Sequence, residues 1–345
     1  MGKSKVDRET IDHYIQSNIR EHKRDVVRMT QEKYQLSRPT VMKYVNELID
    51  EKKIEVKGRT KDREYSPLAL REKLQQYEIK KGLEENSIWK DFSPLVEDVP
   101  QNVRIICQYG FTEMVNNAIE HSEGRYITID MTLFYDQVEM WVVDDGVGIF
   151  NKIQKLYGLS DPIHSILELS KGKLTSDTEK HSGEGIFFTS RIFDYFFMKS
   201  EKIGFVHTKS GFDYIDQGDE FTKGTAIEME IQLTSRRSLQ DVFDAFTDKD
   251  GDFGFDKTVV PVHLAVYGDD QLISRSQARR LLTRFEKFKH VVLEFKGVQM
   301  IGQSFADEIF RVFTNEHPEV RITYVDANKT VEKMIRHADV EDRNQ

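Results

Sequence analysis

Three polar side chains spaced four residues apart mark the stretch of this chain that is best suited to chemistry. Glu113, Asn117 and His121 share one edge of a predicted helix, because residues at i and i+4 lie above one another on a helix face. A Glu there can orient or deprotonate an attacking water or hydroxyl, and an Asn oxygen can coordinate a hard cation such as Mg²⁺. A solvated helix face without chemistry is the alternative. The neighbouring apolar stripe consists of Val103, Ile106, Cys107, Gly110, Met114 and Ala118.

Three later stretches that contain glycine have the composition of a ligand site. Asp144-Asp-Gly-Val-Gly148 follows an alternating strand, so Asp144 can accept a hydrogen bond from an amine while the glycines admit a ligand close to the backbone. His181-Ser-Gly-Glu-Gly185 precedes an apolar run, and glycines that open a helix favour phosphate oxygens. Gly224-Thr225 opens a further strand. Each stretch alone is also typical of an ordinary turn.

Taken in order, these four stretches resemble the GHKL ATP-binding superfamily. That superfamily includes gyrase B, histidine kinases, mismatch-repair ATPases and anti-sigma-factor serine kinases. The resemblance covers roughly Ile88 to Leu233, and the phrase Asn-Ala-Ile-Glu-His-Ser is most similar to the anti-sigma-factor and histidine-kinase branch. It implies an α/β sandwich with a mixed, largely antiparallel sheet that binds ATP and Mg²⁺. We find no separate phosphoacceptor-His helix of the kind that histidine kinases carry.

The resemblance also implies a role for each matching residue. Glu113 would be the catalytic base, Asn117 the Mg²⁺ ligand and Asp144 the acceptor for the adenine amine. The remaining implied nucleotide contacts are His121, Gly146, Gly148, Gly183, Gly185 and Thr225. Two features depart from the family pattern, because the second glycine box is short and is followed by two phenylalanines, Phe187 and Phe188. The polar tract within residues 151–182 lies where the superfamily has a lid, with a solvated loop as the alternative.

Composition restricts the class of protein. The chain has 345 residues, enough for two or three domains, and no apolar run approaches the roughly 20 residues of a membrane span. Its first residues lack the apolar segment of a secretion signal. Cys107 is the only cysteine, which excludes an intramolecular disulfide and a Cys-based zinc site. We therefore expect a cytoplasmic protein that does not bind membranes.

Residues 1–67 resemble a winged helix-turn-helix. Helices are predicted at 8–22, at 31–34 after a Thr30 cap, and after a Ser37 cap with Pro39 in the first turn. A hairpin with a basic turn is predicted over Ile54–Tyr65.

The charge distribution points to a partner for this amino-terminal module. Residues 1–67 hold 16 Lys/Arg and 12 Asp/Glu, a net charge of +4, whereas the other 278 residues bring the total to −9. A basic end on an acidic body indicates contact with a polyanion, so duplex DNA is the expected partner. A protein-docking role is the alternative. The residues expected to contact DNA are Arg38, Thr40, Lys43, Arg59, Lys61 and Arg63.

After residue 257 the pattern alternates between strands and helices, which implies parallel strand pairs. Strands are predicted at 259–266, 291–295 and 320–325. Helices are predicted after the capping box Ser274-x-x-Gln277, at 305–313 and at 331–337. The run Val-Leu-Glu-Phe-Lys-Gly-Val, followed by Ile-Gly-Gln-Ser-Phe-Ala, resembles the STAS fold of anti-sigma-factor antagonists over roughly Thr258 to Ala338.

The STAS resemblance directs attention to one serine. In that family a Ser or Thr at the start of a helix receives phosphate, and Ser304 matches that position. Its neighbours Gly302, Gln303 and Phe305 differ from the usual flanks. Ser304 is therefore interpreted either as a phosphoacceptor or as a helix cap.

Together these patterns predict a multidomain α+β protein. The predicted parts are a winged helix at 1–67, a helical linker at 68–100, an ATP-binding domain at 101–235, a linker at 236–257 and a STAS-like domain at 258–345. The linker helix could also serve as a dimer seam. As a whole the chain resembles bacterial proteins that join a GHKL ATPase to a STAS-like domain.

The predicted function is a regulatory switch, with a role in transcription regulation, in which the ATP state alters binding to DNA or to a partner protein and hydrolysis is slow. One alternative is a serine kinase of anti-sigma-factor type that acts on Ser304 or on a partner STAS protein. Another is an interaction module with an inactive pocket. A protein partner of the STAS or sigma-regulator type and a homodimer remain open.

Overall fold

The computed structural model describes residues 7–174, 184–211, 213–247, 255–266 and 271–341. These residues form a mixed α/β structure in which helices pack on separate β-sheets, as expected for a multidomain α+β protein. Among the described helices, none combines the length and apolar character needed to cross a bilayer.

The amino-terminal module has its own core. Helices α1 (Arg8–Asn18), α2 (Val26–Tyr34) and α3 (Arg38–Asp50) precede an antiparallel hairpin of β1 (Ile54–Lys57) and β2 (Glu64–Pro67). The helices bury their periodic apolar residues against one another and against the hairpin. The buried set is Ile11, Ile15, Ile19, Val26, Val27, Val41, Val45, Leu48, Ile54 and Tyr65.

The local capping predictions had mixed outcomes. Ser37 caps α3 as predicted, since its side chain accepts a hydrogen bond from the backbone N–H of Thr40, and Pro39 lies in the first turn. The Thr30 cap was wrong, because α2 begins four residues earlier and Thr30 is buried inside it. There the Thr30 hydroxyl donates to the Val26 carbonyl over 2.7 Å, which satisfies it within the helix.

The predicted helix in the 68–100 linker was also wrong. Residues Ala69–Glu78 form strand β3, and the first helix of this segment is α4 (Glu85–Phe92), followed by a 3₁₀ turn at Ser93–Val96. Leu70 and Leu74 are 49% and 69% exposed on one face of β3. Their spacing of four suits a helix face, but it equally places two residues on the same face of a strand.

Strand β3 is the edge of a five-stranded sheet. Its other strands are β4 (Tyr126–Phe134), β5 (Gln137–Asp144), β6 (Tyr195–Thr208) and β7 (Asp213–Gln232). The order is β3-β4-β5-β7-β6, and every pairing described in this sheet is antiparallel. The mixed character expected of the sheet is therefore not seen among these pairings.

Helices cover one face of this sheet. Helices α5 (Gln101–His121), α6 (Ile149–Tyr157) and α8 (Gly185–Ile192) lie against its strands, while α7 (His164–Lys171) packs on α6 and α8, and α9 (Leu239–Ala245) packs on α8. Alternate residues of β4 and β5 are buried, as a sheet with one covered face requires. Helix α9 occupies part of the predicted 236–257 linker, and its Phe243 packs edge-on against Phe188.

The carboxy-terminal part contains a parallel sheet, as predicted. Strands β8 (Lys257–Pro261), β9 (His290–Glu294) and β10 (Arg321–Val325) are ordered β10-β9-β8. The first strand ends sooner than predicted, because Val262–Ala265 is a 3₁₀ turn.

The helices of this part are α10 (Arg275–Leu282), α11 (Gln303–Asp307), α12 (Thr314–Glu316) and α13 (Lys329–Glu341). A 3₁₀ turn at Phe285–Lys287 precedes β9, and a π-helix at Glu308–Phe313 follows α11. The Ser274 capping box that begins α10 is present as predicted, because Ser274 and Gln277 satisfy each other's backbone donors.

The open face of the five-stranded sheet carries a cluster of glutamates beside the amino-terminal module. Carboxylate oxygens of Glu139, Glu228 and Glu230 lie within 4.8 Å of one another. Arg20 of the module approaches Glu139 at 3.4 Å and covers the ring of Phe134 at 4.3 Å from its centroid. Burial, together with the neighbouring Glu230 and Glu139, raises the pKa of Glu228 to about 8. The sheet therefore holds a proton at neutral pH that an unfolded chain releases.

We expect Glu228→Gln to change the pH dependence of stability. Because the pKa of Glu228 is raised on folding, its favourable contribution is full below the ordinary Glu pKa and is lost as pH rises through about 8. The variant should gain stability relative to the wild type between about pH 5 and pH 8, with a plateau above. Urea unfolding at several pH values measures this difference. Glu97→Gln, at an exposed site, is the control, and a parallel pH profile for Glu228→Gln would contradict the prediction.

Candidate functional site

A cavity of about 330 Å³ lies between helix α5, the end of strand β5 and the middle of strand β7. Gly224-Thr225 therefore lies within β7, and the prediction that it opens a strand was wrong. The cavity brings together most of the residues that the four sequence stretches nominated. Those in its lining are Glu113, Asn117, His121, Asp144, Gly148, Gly185 and Thr225. Gly183 lies outside the described residues. Residues from four separate parts of the sequence thus meet at one concave site, which is the usual form of a small-molecule pocket.

Asp144 is the buried anchor at one end of this pocket. It ends strand β5, is 7% exposed, and accepts hydrogen bonds at Oδ1 from the backbone N–H of Gly146 at 2.9 Å and of Thr225 at 3.3 Å. Burial raises the pKa of Asp144, and the two backbone donors oppose that rise. The Thr225 hydroxyl accepts from the backbone N–H of Ile149 at 3.1 Å. These bonds tie the start of α6 to β5 and β7.

Glycines permit the close backbone approach at this end. Gly224 has φ +72°, and a Cβ there would collide with the backbone carbonyl of Asp144. Gly148 has φ +81° and faces the Ser200 hydroxyl, which is buried without a hydrogen-bond partner in the described part of the chain. Gly146 does not line the cavity itself; it supports the cavity by donating to Asp144. A side chain at these positions would strain the backbone or fill the turn.

The opposite end of the pocket is formed by α5 and the start of α8. A Cβ on Gly185 would collide with the carboxylate of Glu113, so the two segments touch at this point. The first backbone N–H groups of a helix attract negative charge, which suits a carboxylate or a phosphate near Gly185. The first turn of α8, which attracts anions, therefore lies beside Glu113, the candidate catalytic base.

Asn117 has an unsatisfied polar atom in the pocket. Its Nδ2 is buried and has no hydrogen-bond partner among the residues that the structure describes. A carboxamide can turn by 180° about its terminal C–C bond, so either the nitrogen or the oxygen can occupy that place. A buried polar atom without a partner calls for a ligand, a water or an ion. The unsatisfied amide of Asn117 is therefore compatible with the prediction that this residue holds Mg²⁺.

Several lining residues were missed by the sequence analysis. Lys152 donates to the backbone carbonyl of His121 at 2.7 Å and to Glu123 at 2.9 Å. It lies four residues after Gly148, so its spacing from the glycine box was the available signal. The apolar walls include Val142, Ile153, Leu156, Leu169, Leu174, Phe187 and Ile227. Apolar residues of this kind carry no sequence mark that separates them from ordinary core.

The described part of the predicted lid, up to residue 174, contains α6 and α7, joined by non-helical residues. The polar tract of the lid begins at Ser170. The interpretation as a solvated loop was wrong for Ser170 and Lys171, which are buried at the end of α7. Residues 175–180 of the tract lie outside the described residues.

The residues predicted to contact DNA lie on α3 and in the turn of the β1–β2 hairpin. Arg38, Lys43, Arg59 and Arg63 are exposed, whereas Thr40 is half-buried and bonds the Ser37 hydroxyl at 2.8 Å. Lys43 approaches Glu47 at 3.8 Å. Within the described part of the chain, Arg38, Arg59 and Arg63 make no ion pair. The side chain of Lys61 is not among those that the structure describes.

Ser304 is exposed in the first turn of α11. The N-cap of that helix is Gly302, without a side-chain hydrogen bond, so the interpretation of Ser304 as a cap was wrong. Its hydroxyl thus faces solvent at a helix start.

Comparison with known families identifies the carboxy-terminal part. A family described as STAS-like domain of unknown function (DUF4325) matches residues 277–332, which run from α10 into α13. This match confirms the prediction of a STAS-like domain there. Among curated proteins, no match to this chain is found.

We expect Asp144→Ala to lower the free energy of unfolding by about 1–3 kcal/mol, because it leaves the buried N–H of Thr225 and the partly buried N–H of Gly146 without an acceptor. Asp144→Asn should cost clearly less, since the amide oxygen can accept from both donors. Urea unfolding of the two variants beside the wild type measures the contrast. Equal stability of the Ala and Asn variants would show that these hydrogen bonds do not hold the site.

Proposed function

We propose that the chain is an ATP-binding regulatory switch of the GHKL type, which hydrolyses ATP slowly and couples its nucleotide state to the binding of duplex DNA or a partner protein. The observation that carries this proposal is the meeting of Glu113, Asn117, Asp144, Gly185 and Thr225 around one cavity. The resemblance in sequence named these residues from four separate motifs, and a chance likeness would not require them to converge.

The Asp144 end of the pocket suits adenine. Its walls include Val142, Ile153 and Ile227, which offer apolar surface to a flat ring. The buried carboxylate of Asp144 can accept from an exocyclic amine, and Thr225 is held beside it. A ring with one amine donor and two apolar faces therefore matches both the shape and the polarity of this end.

The Glu113 end suits the triphosphate. The start of α8 attracts negative charge, and Glu113 faces it as the base that takes a proton from the attacking water. Asn117 offers the carboxamide oxygen that would hold Mg²⁺. A Mg²⁺ ion held there would supply positive charge that stabilises the phosphate oxygens.

We expect Glu113→Gln to keep ATP binding and to lose turnover by about 10²–10⁴-fold, because the amide retains the shape but cannot accept the proton. Asp144→Asn should instead weaken binding, because part of the acceptor becomes a donor. Binding of a fluorescent ATP analogue and release of labelled γ-phosphate measure the two effects separately.

The same assay distinguishes the proposal from its alternatives. Equal hydrolysis by the wild type and Glu113→Gln would contradict the role of Glu113. Failure of the wild type to bind ATP with Mg²⁺ would contradict the proposed function itself. Label that ends on the protein and depends on Glu113 would support the kinase alternative, and Ser304→Ala would identify its acceptor.

The exposed solvent position of Ser304 is the observation that favours this second candidate. A phosphate there would add about −1.5 to −2 charge at a helix start, where the dipole stabilises it. The differing flanks of Ser304 leave the switch as the preferred function.

The output side of the switch is assigned to the amino-terminal module. Arg38, Arg59 and Arg63 are exposed and form no ion pair among the described residues, and they lie on the helix and the hairpin turn that a winged helix presents to DNA. Unpaired surface arginines are available to phosphate oxygens, whereas paired ones would first have to release a carboxylate. This arrangement supports duplex binding over protein docking.

We expect duplex affinity to fall steeply with salt, with a log–log slope of about −0.9 per neutralised phosphate. Replacing Arg59 and Arg63 together by Gln should lower affinity and reduce the slope by about 2. Fluorescence anisotropy over a salt series provides the measurement. The matched control is Lys80→Gln with Lys81→Gln, another exposed basic pair. Absence of duplex binding at low salt, with and without ATP, would move the assignment to protein docking.

A further inference from the structure

Helix α7 lines the proposed nucleotide pocket on one side and contacts the STAS-like domain on another. Leu169 of α7 and Leu174 just after it line the pocket wall. The same short segment is hydrogen-bonded to Thr258, Thr283 and Lys287, which belong to the carboxy-terminal part of the chain. One wall of the proposed nucleotide site therefore depends on a domain from which no described residue lines the cavity.

The contact contains a buried group of three charges. Glu168 is 2% exposed, and its two oxygens approach Lys171 Nζ at 2.6 Å and an Arg284 nitrogen at 2.9 Å. Lys171 is fully buried, which lowers its pKa, while the adjacent Glu168 opposes that shift. Buried charges are tolerated only when each has a partner of good geometry. Glu168 has one such partner in Lys171 of its own helix, and Arg284 supplies a second across the domain boundary.

Arg284 also caps the end of α7. Its second terminal nitrogen donates to the carbonyls of Gly172 at 2.6 Å and of Lys173. The last carbonyls of a helix lack partners within the helix, and a cation there complements the helix dipole. In the opposite direction, Lys171 Nζ donates to the backbone carbonyl of Thr283 at 2.9 Å. These bonds fix both the direction of α7 and the path of the chain toward Leu174.

The backbone of Arg284 indicates that its side chain is needed at this place. Its φ is +69°, in the left-handed region that residues with a side chain rarely adopt. A loop selected only for its turn would favour Gly or Asn there. An arginine is explained by its guanidinium, whose bonds reach Glu168, Gly172 and Lys173.

We propose that Arg284 is a positioning residue for the nucleotide pocket: by holding Glu168 and the end of α7, it places Leu169 and Leu174 against the bound nucleotide. The inference rests on the proposed ATP site. It assigns to the STAS-like domain a direct role in nucleotide affinity, beyond any role in partner binding. A ligand or partner that shifts Arg284 would change that affinity, and nucleotide would reciprocally change the hold on Arg284.

The test measures binding of ATP with Mg²⁺ to the full chain carrying Arg284→Met or Arg284→Lys. Arg284→Met should weaken binding by about 5–150-fold, the usual range for coupled sites. Arg284→Lys should restore part of the loss, since it keeps a charge for Glu168 but cannot also reach both carbonyls. Arg279→Met is the control, because Arg279 is on the same domain, 71% exposed and paired with Glu308 of that domain.

A second measurement separates positioning from a general loss of structure. In the Leu174→Ala background, Arg284→Met should weaken binding less than in the wild type, because the Leu174 side chain that Arg284 positions has already been removed. Circular dichroism confirms folding of each variant, and Arg284→Lys decides the question if Arg284→Met does not fold.

The contrary results are distinct from one another. Wild-type protein that fails to bind nucleotide would overturn the proposed function and this inference with it. Wild-type binding with equal affinity in folded Arg284 variants would overturn the inference alone. An equal loss in Arg279→Met, or full additivity with Leu174→Ala, would also overturn it.

Discussion

A buried carboxylate must find hydrogen-bond donors, and Asp144 finds them in the backbones of two other segments. Its Oδ1 accepts from Gly146, in the loop after its own strand, and from Thr225 on the neighbouring strand β7. Thr225 in turn receives the first N–H of α6. These hydrogen bonds require the backbones to approach closely, and glycines allow that approach. The need to satisfy the buried Asp144 carboxylate therefore accounts both for the glycines near it and for the position of the pocket.

The pocket is linked to the rest of the chain by packing. Phe187, in its wall, contacts Phe246 at 4.9 Å and Phe255 at 4.7 Å between ring centroids, and these residues lead from α9 into strand β8. The two phenylalanines that departed from the family pattern thus have a structural reason, since they join the sheet domain to the carboxy-terminal part. On the open face of the sheet, Arg20 holds the amino-terminal module against Glu139 and Phe134. The amino-terminal module and the carboxy-terminal part therefore both contact the domain formed by the five-stranded sheet and its helices, which carries the pocket.

Features set by local chemistry could be predicted from the sequence. The Ser37 cap and the Ser274 capping box depend on residues within one turn, and both are present. Strand β3 was missed because leucines four apart satisfy both helix and strand periodicity, and only pairing with β4 decides between them. Thr30 was misread because its cap role competed with a helix that begins earlier.

Within the site, polar residues were predictable and the walls were not. Glu113, Asn117 and Asp144 stand out because their polar types are unusual beside apolar stripes, and the motif order linked them. Lys152, Leu169 and Leu174 join them only through tertiary packing. The role of α7 could not be read at all, because Arg284 reaches it from more than a hundred residues away.

The central claim is that this cavity holds an adenine nucleotide in one orientation. A crystal structure of the full chain with Mg²⁺ and a non-hydrolysable ATP analogue tests it most directly. We expect adenine beside Asp144 and Thr225, phosphates near Gly185 and Glu113, and the metal on Asn117. An empty cavity at saturating nucleotide, or a nucleotide bound elsewhere or reversed, would contradict it.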